Sequence, residues 1–485
     1  MKRFIYCFLV VLMTISCFKT ENVKSNRIYY EIFVRSFADS NGDGIGDING
    51  ITEKLPELNK IGIEGLWLTP IFKSPSYHKY DVTDYLKIDE EYGTKEDLKK
   101  LVEKAHELDI KVIIDFPVNH TSIEHPWFKD ILKNPDSKYK DYYNIINKDE
   151  KGYNKNIAVL GGKSWHKLNE NELYYGIFWE GMPDLDFSNK NVRQEIIKYA
   201  KYWLKETNLD GYRLDAAPHI FAFGEHAKGS VDNVSENIKW WSEFRKELQS
   251  VNKNVYLVGE VWSNTDYISK FYEVFDSNFN FEFSEKLIFY TVFSGNSSKI
   301  RPGLENIYKK YEKVNSNYID AIFLTNHDQE RVANKIKDTK RLKLIASILL
   351  TLPGNPYIYY GEELGMKGSK PDEYIRQGYI WRDKYQTSWV NEVDNEDIKD
   401  FYTQEKNENS LLSHYIKWIK IRKENEEIRY GKYESLDLKN DGVFAFKMKY
   451  KGKEKAILHN LLNENIKVSL NGKEIELKPY ESVVK

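Results

Sequence analysis

Lys111-Val112-Ile113-Ile114-Asp115-Phe116-Pro117-Val118-Asn119-His120 reads as a short, fully buried strand that breaks at a proline and ends in polar residues. The same form recurs along the chain. Apolar, β-branched or aromatic runs at 28–33, 65–69, 211–214, 255–259, 321–325 and 357–360 alternate with amphipathic helical patterns at 95–108, 191–207, 235–249 and 338–351. Strands alternating with helices predict a parallel sheet covered on both faces. A weaker strand near 274–275 brings the count to eight, so the expected fold is α/β, a closed (β/α)₈ barrel. An open doubly wound sheet competes with it, but no glycine-rich dinucleotide turn follows the first strand.

From Thr121 to Ser188 the chain runs about 68 residues without a clear helix, rich in Tyr, Asn, Lys and Gly. Such length marks a functional insertion and predicts a small subdomain over the C-terminal rim of the barrel. Beyond a helical stretch at 411–422, short alternating runs separated by Asn440-Asp441-Gly442 and Asn471-Gly472 predict a closing antiparallel β domain of the sandwich type. The expected organisation is a barrel of 27–120 and 189–425, an insertion of 121–188 and a β domain of 426–485.

The chain has 485 residues, 72 basic and 74 acidic, for a net charge of −2. Binding nucleic acid as the main partner needs a basic excess, so that class is set aside. Both cysteines, Cys7 and Cys17, lie in the first seventeen residues, so the body carries no disulfide and no cysteine-based metal centre. Lys2 and Arg3, an apolar run at 4–15 and Ser16-Cys17 read as an export signal of residues 1–16. The ending Thr14-Ile15-Ser16-Cys17 resembles a bacterial lipobox, with Thr14 where leucine is usual. It predicts a lipidated Cys17, a polar tether over 17–26 and peripheral attachment to the cell envelope; a plain secreted protein is the alternative.

Polar residues at the C-terminal ends of barrel strands face the active site. There stand Asp115 and His120; Arg213, Asp215 and His219; Glu260; and His327 and Asp328. One acidic residue at a strand end is usually a cap. At least three carboxylates, two histidines and an arginine on four such ends point instead to glycoside hydrolysis, which needs one carboxylate to attack the sugar and another to protonate the leaving group. Arg213 and Asp215, two apart on a strand, share a face, so the guanidinium keeps Asp215 ionised as a nucleophile. Val258, Val261 and Trp262 around Glu260 favour burial and a raised pKa, as a general acid requires. Asp328, His120 and His327 are expected to hold sugar hydroxyls, and Arg376 to pair with Asp81 and close the pocket against longer chains.

Asp115 to His120, Gly211-Tyr212-Arg213-Leu214-Asp215-Ala216-Ala217-Pro218-His219, Gly259-Glu260-Val261-Trp262 and Asn326-His327-Asp328 together resemble the four ordered signature regions of the α-amylase family, glycoside hydrolase family 13. Met182-Pro183-Asp184-Leu185-Asp186, Gly65-Leu66-Trp67-Leu68-Thr69-Pro70 and Tyr360-Gly361-Glu362-Glu363 resemble three further segments. The resemblance implies that Asp215 is the nucleophile, Glu260 the acid/base and Asp328 the transition-state stabiliser. It implies that Arg213, His120 and His327 line the glucose site and that Tyr80 is its aromatic platform. Lys79 stands where many relatives have glycine, and Pro218 where lysine is frequent before His219.

Asp39-Ser40-Asn41-Gly42-Asp43-Gly44-Ile45-Gly46-Asp47 follows the first half of an EF-hand loop, with oxygen ligands at positions 1, 3 and 5, glycine at 6 and Asp at 9. Gly50 stands at position 12, so a wrapped Ca²⁺ without a switch is expected on Asp39, Asn41, Asp43, the Ile45 carbonyl and Asp47; a solvated turn is the alternative. A similar loop marks the oligo-1,6-glucosidase branch. The family also implies a second Ca²⁺ on Asn119, Asp184 and the His219 carbonyl. Ala216 after the nucleophile resembles α-1,4-acting members, so the mixture resembles the subfamily between oligo-1,6-glucosidases and neopullulanases. The expected activity is a retaining, monomeric α-amylase cleaving internal α-1,4 bonds of starch and maltodextrins. An exo-acting α-glucosidase, an oligo-1,6-glucosidase, a transglycosylating enzyme and a non-catalytic maltodextrin-binding protein are the alternatives.

Overall fold

The computed structural model describes residues 26–150, 158–159, 161–221, 233–390 and 394–485. The expected signal and nearly all of the tether therefore lie outside the described residues. No helix among the described residues is long and apolar enough to cross a membrane.

Eight strands close into a barrel: β1 (Tyr29–Ile32), β2 (Gly65–Leu68), β3 (Lys111–Phe116), β4 (Gly211–Leu214), β5 (Tyr256–Gly259), β6 (Ser277–Phe279), β7 (Ile319–Phe323) and β8 (Asn355–Tyr359). Each strand is parallel to both neighbours, and β8 pairs back onto β1. Side chains two apart on a strand share a face. The inward sequence on β3 therefore runs from Ile113 to Asp115, and that on β5 from Tyr256 and Val258 towards Glu260. Tyr29, Trp67, Ile113, Val258, Phe279, Phe323 and Tyr357 pack into one buried apolar plug. The polar residues one step further along form the layer above that plug.

The sixth strand departs from the sequence expectation. Val274 and Phe275 follow a single 3₁₀ turn (Phe271–Glu273), and the strand is Ser277–Phe279. The apolar pair is buried because Phe275 packs on Trp241 and Phe271 outside the barrel, while the true strand is short and polar. A helix at Ile300–Val314, absent from the sequence reading, buries Leu304, Ile307, Tyr308 and Tyr311 on one side despite Pro302 and Gly303.

The insertion carries a helix (Pro126–Lys133) and a three-stranded antiparallel sheet of Ile145–Asn147, Glu172–Tyr175 and Trp165–Lys167. Its return strand is stitched to the chain leaving β3 through the bridge His120–Asp184 and the Leu185 amide, which donates to the Asn119 carbonyl at 2.9 Å. The C-terminal region forms a four-stranded antiparallel sheet and a two-stranded one, with Val443, Leu458, Val468 and Leu477 between them. Arg422, buried on Leu411–Glu424, donates to the carbonyls of Leu350, Leu352 and Gly354 and ties that helix to the barrel. Leu350 lies in the last turn of the helix Thr339–Thr351, where carbonyls have no intrahelical partner.

Candidate active site

The strand register sets Asp115 beside Arg213. Arg213 is buried, and one guanidinium nitrogen, Nη1, donates to Asp115 Oδ1 at 2.9 Å, Asp115 Oδ2 at 3.1 Å and Asp215 Oδ1 at 2.5 Å. The other, Nη2, lies 2.6 Å from Glu260 Oε1. One fixed planar fork therefore holds three carboxylates from three strands, a task matched to arginine rather than lysine. Three negative charges around one positive charge leave an excess, and burial adds to it. Burial raises Asp115 to a pKa of about 7, against the opposing pull of Arg213. Burial likewise raises Glu260 to about 7, with Arg213 opposing and the charges of Asp215 and Asp328 adding to the rise. A carboxyl that keeps its proton near neutrality is what proton donation to a leaving oxygen needs.

Ala216, just past β4, sits at φ +47°, in the left-handed region, and its amide donates to Glu260 Oε2 at 2.9 Å. That turn aims the backbone at the acid, and a non-glycine residue held in the left-handed region is local strain of the kind that collects at active sites.

Asp328 answers to a different set of neighbours. Burial pushes it upward, but His327 Nε2 at 3.1 Å and Arg376 Nη2 at 2.8 Å hold it at about 2, ionised at any working pH. Burial also works against protonation of His327, yet Asp328 and Glu31 keep its pKa above the ordinary value. Its Nδ1 donates to Glu31 Oε1 at 2.5 Å, and its Nε2 meets the Tyr80 hydroxyl at 2.6 Å. The Tyr80 hydroxyl donates to Asp115 Oδ2 at 2.9 Å, and its ring stacks on His327 with centroids 5.6 Å apart. His120 is buried against Phe178, and that burial lowers its pKa against the opposing charges of Asp215 and Asp81.

These groups open into a cleft of about 660 Å³ whose walls include Asp215, Glu260, Asp328, Tyr80, His120, His219 and Arg376. Apart from Arg213 and His327, buried beneath it, and Asp81, the catalytic and sugar-contacting residues expected from sequence are thus brought together. Trp179 and Trp262 add exposed indoles to the same cleft.

One expected pair does not form. Arg376 bonds to the His327 carbonyl, the Tyr77 hydroxyl and Asp328, not to Asp81. Asp81 is buried and satisfied locally by the hydroxyls of Ser74, at 2.7 Å, and Ser76. Lys79 is buried. It takes φ +63°, which suits the glycine of many relatives, but its ammonium turns away to Asp89 at 2.9 Å and Glu91 at 2.8 Å.

Sequence reasoning placed Asp115 at a strand end but gave it no role, although it follows inward-facing Ile113 by two and could have been paired with Arg213 as Asp215 was. Glu31, on β1, carries the same signal. Trp179 lies in the irregular insertion, where no periodicity marks it.

In the 39–47 loop, Asp39 accepts the amides of Asn41, Gly42 and Gly44, Asp43 accepts that of Ile45, and Asp47 accepts Ser40 and Gly50. Gly42 and Gly44, at φ +85° and +89°, wind these oxygen donors into one turn. Asp184 is buried with a pKa pushed well up by burial, opposed by its bonds to Asn119 and the Ile177 amide. Among the described residues no three His, Cys, Asp or Glu side chains form a metal-holding group. The all-oxygen donor set of the loop, and a buried carboxylate at Asp184 with no ion pair among the described residues, fit a hard cation chemically.

The α-amylase catalytic domain family matches residues 31–431. The chain is 44% identical over 445 residues to Alpha-amylase 3 of Dictyoglomus thermophilum, covering 90% of this chain and 85% of that protein. It is 32% identical over 468 residues to a 4-alpha-glucanotransferase of Thermotoga maritima, covering 94% and 100%. The crystal structure of an alpha-amylase from H. orenii superimposes with a TM-score of 0.87 at 41% identity, covering 95% of this chain and 99% of that one.

Proposed function

The chain belongs to the α-amylase family of glycoside hydrolases, glycoside hydrolase family 13, and from that premise we propose that it is a retaining α-amylase cleaving internal α-1,4 bonds of starch and maltodextrins. One observation carries the reading: Asp215 and Glu260 sit on two arms of a single buried guanidinium, with the cleft above them. Such closeness suits the carboxyl spacing of about 5–5.5 Å in retaining enzymes.

In this reading Asp215 attacks the anomeric carbon while Glu260, protonated below about pH 7, gives its proton to the departing oxygen. The glucosyl ester on Asp215 is then hydrolysed by water, with Glu260 taking the proton back. Asp328, ionised and braced by Arg376, accepts hydroxyls of the same glucose, and His120 donates to them. His327, whose ring nitrogens are taken by Glu31, Tyr80 and Asp328, positions Tyr80 and Asp328 instead of meeting the sugar as expected. Tyr80 supplies an apolar face beneath the ring.

Bound Ca²⁺ on Asp39, Asn41, Asp43, Ile45 and Asp47 would brace the loop after β1. A second ion on Asn119, Asp184 and His219 would pin the insertion to the barrel. The N-terminal sequence supports export and a lipid anchor at Cys17, and the monomer is part of the same reading.

A second reading, transfer of the glucosyl group to another sugar, is favoured by the two exposed indoles, Trp179 and Trp262, beside the cleft and by the likeness to a 4-alpha-glucanotransferase. The two are separated by digesting maltoheptaose. Internal hydrolysis yields a spread of short maltodextrins released as α-anomers. Release of glucose alone defeats the endo assignment, and products longer than heptaose establish transfer.

A further inference from the structure

Beyond the cleft, a line of aromatic side chains runs away from Glu260. Trp262, two residues after the proposed acid, is 43% exposed, and Phe281 stacks beneath it at 4.7 Å, leaving one indole face to the cleft. Its Nε1 donates at 3.0 Å to Glu285, which also accepts Gln329 Nε2 at 3.2 Å. Glu285 lies in a π-helical turn (Phe283–Leu287) that continues without a break into the helix Ile288–Ser294. Such turns are frequent at functional sites. On that helix Tyr290 is 42% exposed and Phe293 49%. Residues three apart are neighbours on a helix surface, so these two rings form one patch. Lys299 sits 4.0 Å over Tyr290, and Phe293 packs on Phe289, which Lys335 covers at 4.5 Å. The rings are thus held in fixed poses while remaining open to solvent. From Glu285 to Phe293 is eight residues, about 12 Å of helix.

The direction of this line follows from the chemistry. A general acid stands beside the leaving oxygen, so residues beyond Glu260 flank the leaving-side sugars. We propose that an α-glucan chain leaving the cleft on its reducing-end side continues over Trp262 and along the exposed face of Ile288–Ser294, with Tyr290 and Phe293 as a remote sugar-stacking platform. This rests on the α-glucan reading above. A glucan is the occupant favoured because the patch is joined to the cleft wall at Trp262 through its indole bond to Glu285 and the unbroken helical turn that follows.

The test compares the wild-type chain with Tyr290→Ala/Phe293→Ala on amylose and on maltotetraose, together with retardation in amylose-containing native gels. Efficiency on amylose is expected to fall about fivefold to tenfold through KM, the scale of removing two aromatic stacking partners. Maltotetraose should be cleaved as before, gel retardation should weaken, and Phe293→Trp should retain it. Equal losses on both substrates, or unchanged amylose kinetics and retardation, overturn the proposal. So does loss of sedimentation with phosphatidylglycerol vesicles while amylose retardation persists, which assigns the patch to lipid. If wild type cleaves neither glucan, the functional reading fails, and gel retardation still decides the platform.

Discussion

Replacing Arg213 with lysine keeps a positive charge beneath the cleft but removes the fork. The guanidinium serves Asp115 and Asp215 through one nitrogen and Glu260 through the other. An ammonium is a point charge and cannot span both sides; two carboxylates on one side draw it away from Glu260. Glu260 is thereby deprived of a charge-assisted bond 2.6 Å long. Such bonds contribute about 1.5–3 kcal/mol, and about 1.4 kcal/mol moves a pKa by one unit. Arg213 opposes the burial that raises Glu260 to about 7. Its withdrawal therefore raises Glu260 further, by roughly one to two units. Activity is lost as the acid deprotonates, so the basic limb of kcat/KM should move upward in pH by that amount. The rate at the optimum should fall on the order of 100-fold, because nothing then orients Asp215 as the guanidinium does. A pH profile on maltoheptaose, whose sugar leaving group must be protonated to depart, with thermal melting to verify folding, reads both effects. A basic limb that stays in place or moves to lower pH refutes the charge account of Glu260.

Asp320 is buried on β7, raised to about 7 by that burial and opposed only by Asn280 Nδ2 at 2.9 Å. With its folded pKa above the unfolded one, the wild type loses stability as pH rises from about 4 to about 7. Asp320→Asn should therefore gain up to about 4 kcal/mol over wild type at pH 8 and far less at pH 5; equal gains at both sink the assignment. Lys79→Ala strips Asp89 and Glu91 of their shared partner and keeps the left-handed backbone. It should lower stability by about 3 kcal/mol while leaving kcat/KM of the folded enzyme unchanged, and a changed kcat/KM would return Lys79 to the pocket. Chelation should lower the melting temperature and added Ca²⁺ restore it; an unmoved transition after verified metal removal reduces the 39–47 loop to a turn.

The barrel was legible because seven of its strands are apolar runs bounded by breakers, and the polar layer above them falls at the next inward position. Ile113 to Asp115 and Val258 to Glu260 obey that one rule. β6 was misplaced because three residues, Ser277–Phe279, carry too little pattern, while Val274 and Phe275 are apolar for helix packing. The partner of Arg376 was not legible for a related reason. Sequence shows which charges are present but not that Ser74 and Ser76 already satisfy Asp81. Nor does it show that Asp328 lies nearer to the guanidinium. Trp179 depends on the path of an irregular insertion, which local propensity does not encode.

The central claim is that Asp215 forms the bond to the sugar and Glu260 manages its proton. Glu260→Gln, incubated with a maltosyl fluoride whose leaving group needs no protonation, should accumulate the glycosyl ester, because water lacks its general base. Peptide mass analysis should then place one maltosyl adduct on Asp215. An adduct on another carboxylate, or turnover equal to wild type with no adduct, contradicts the account.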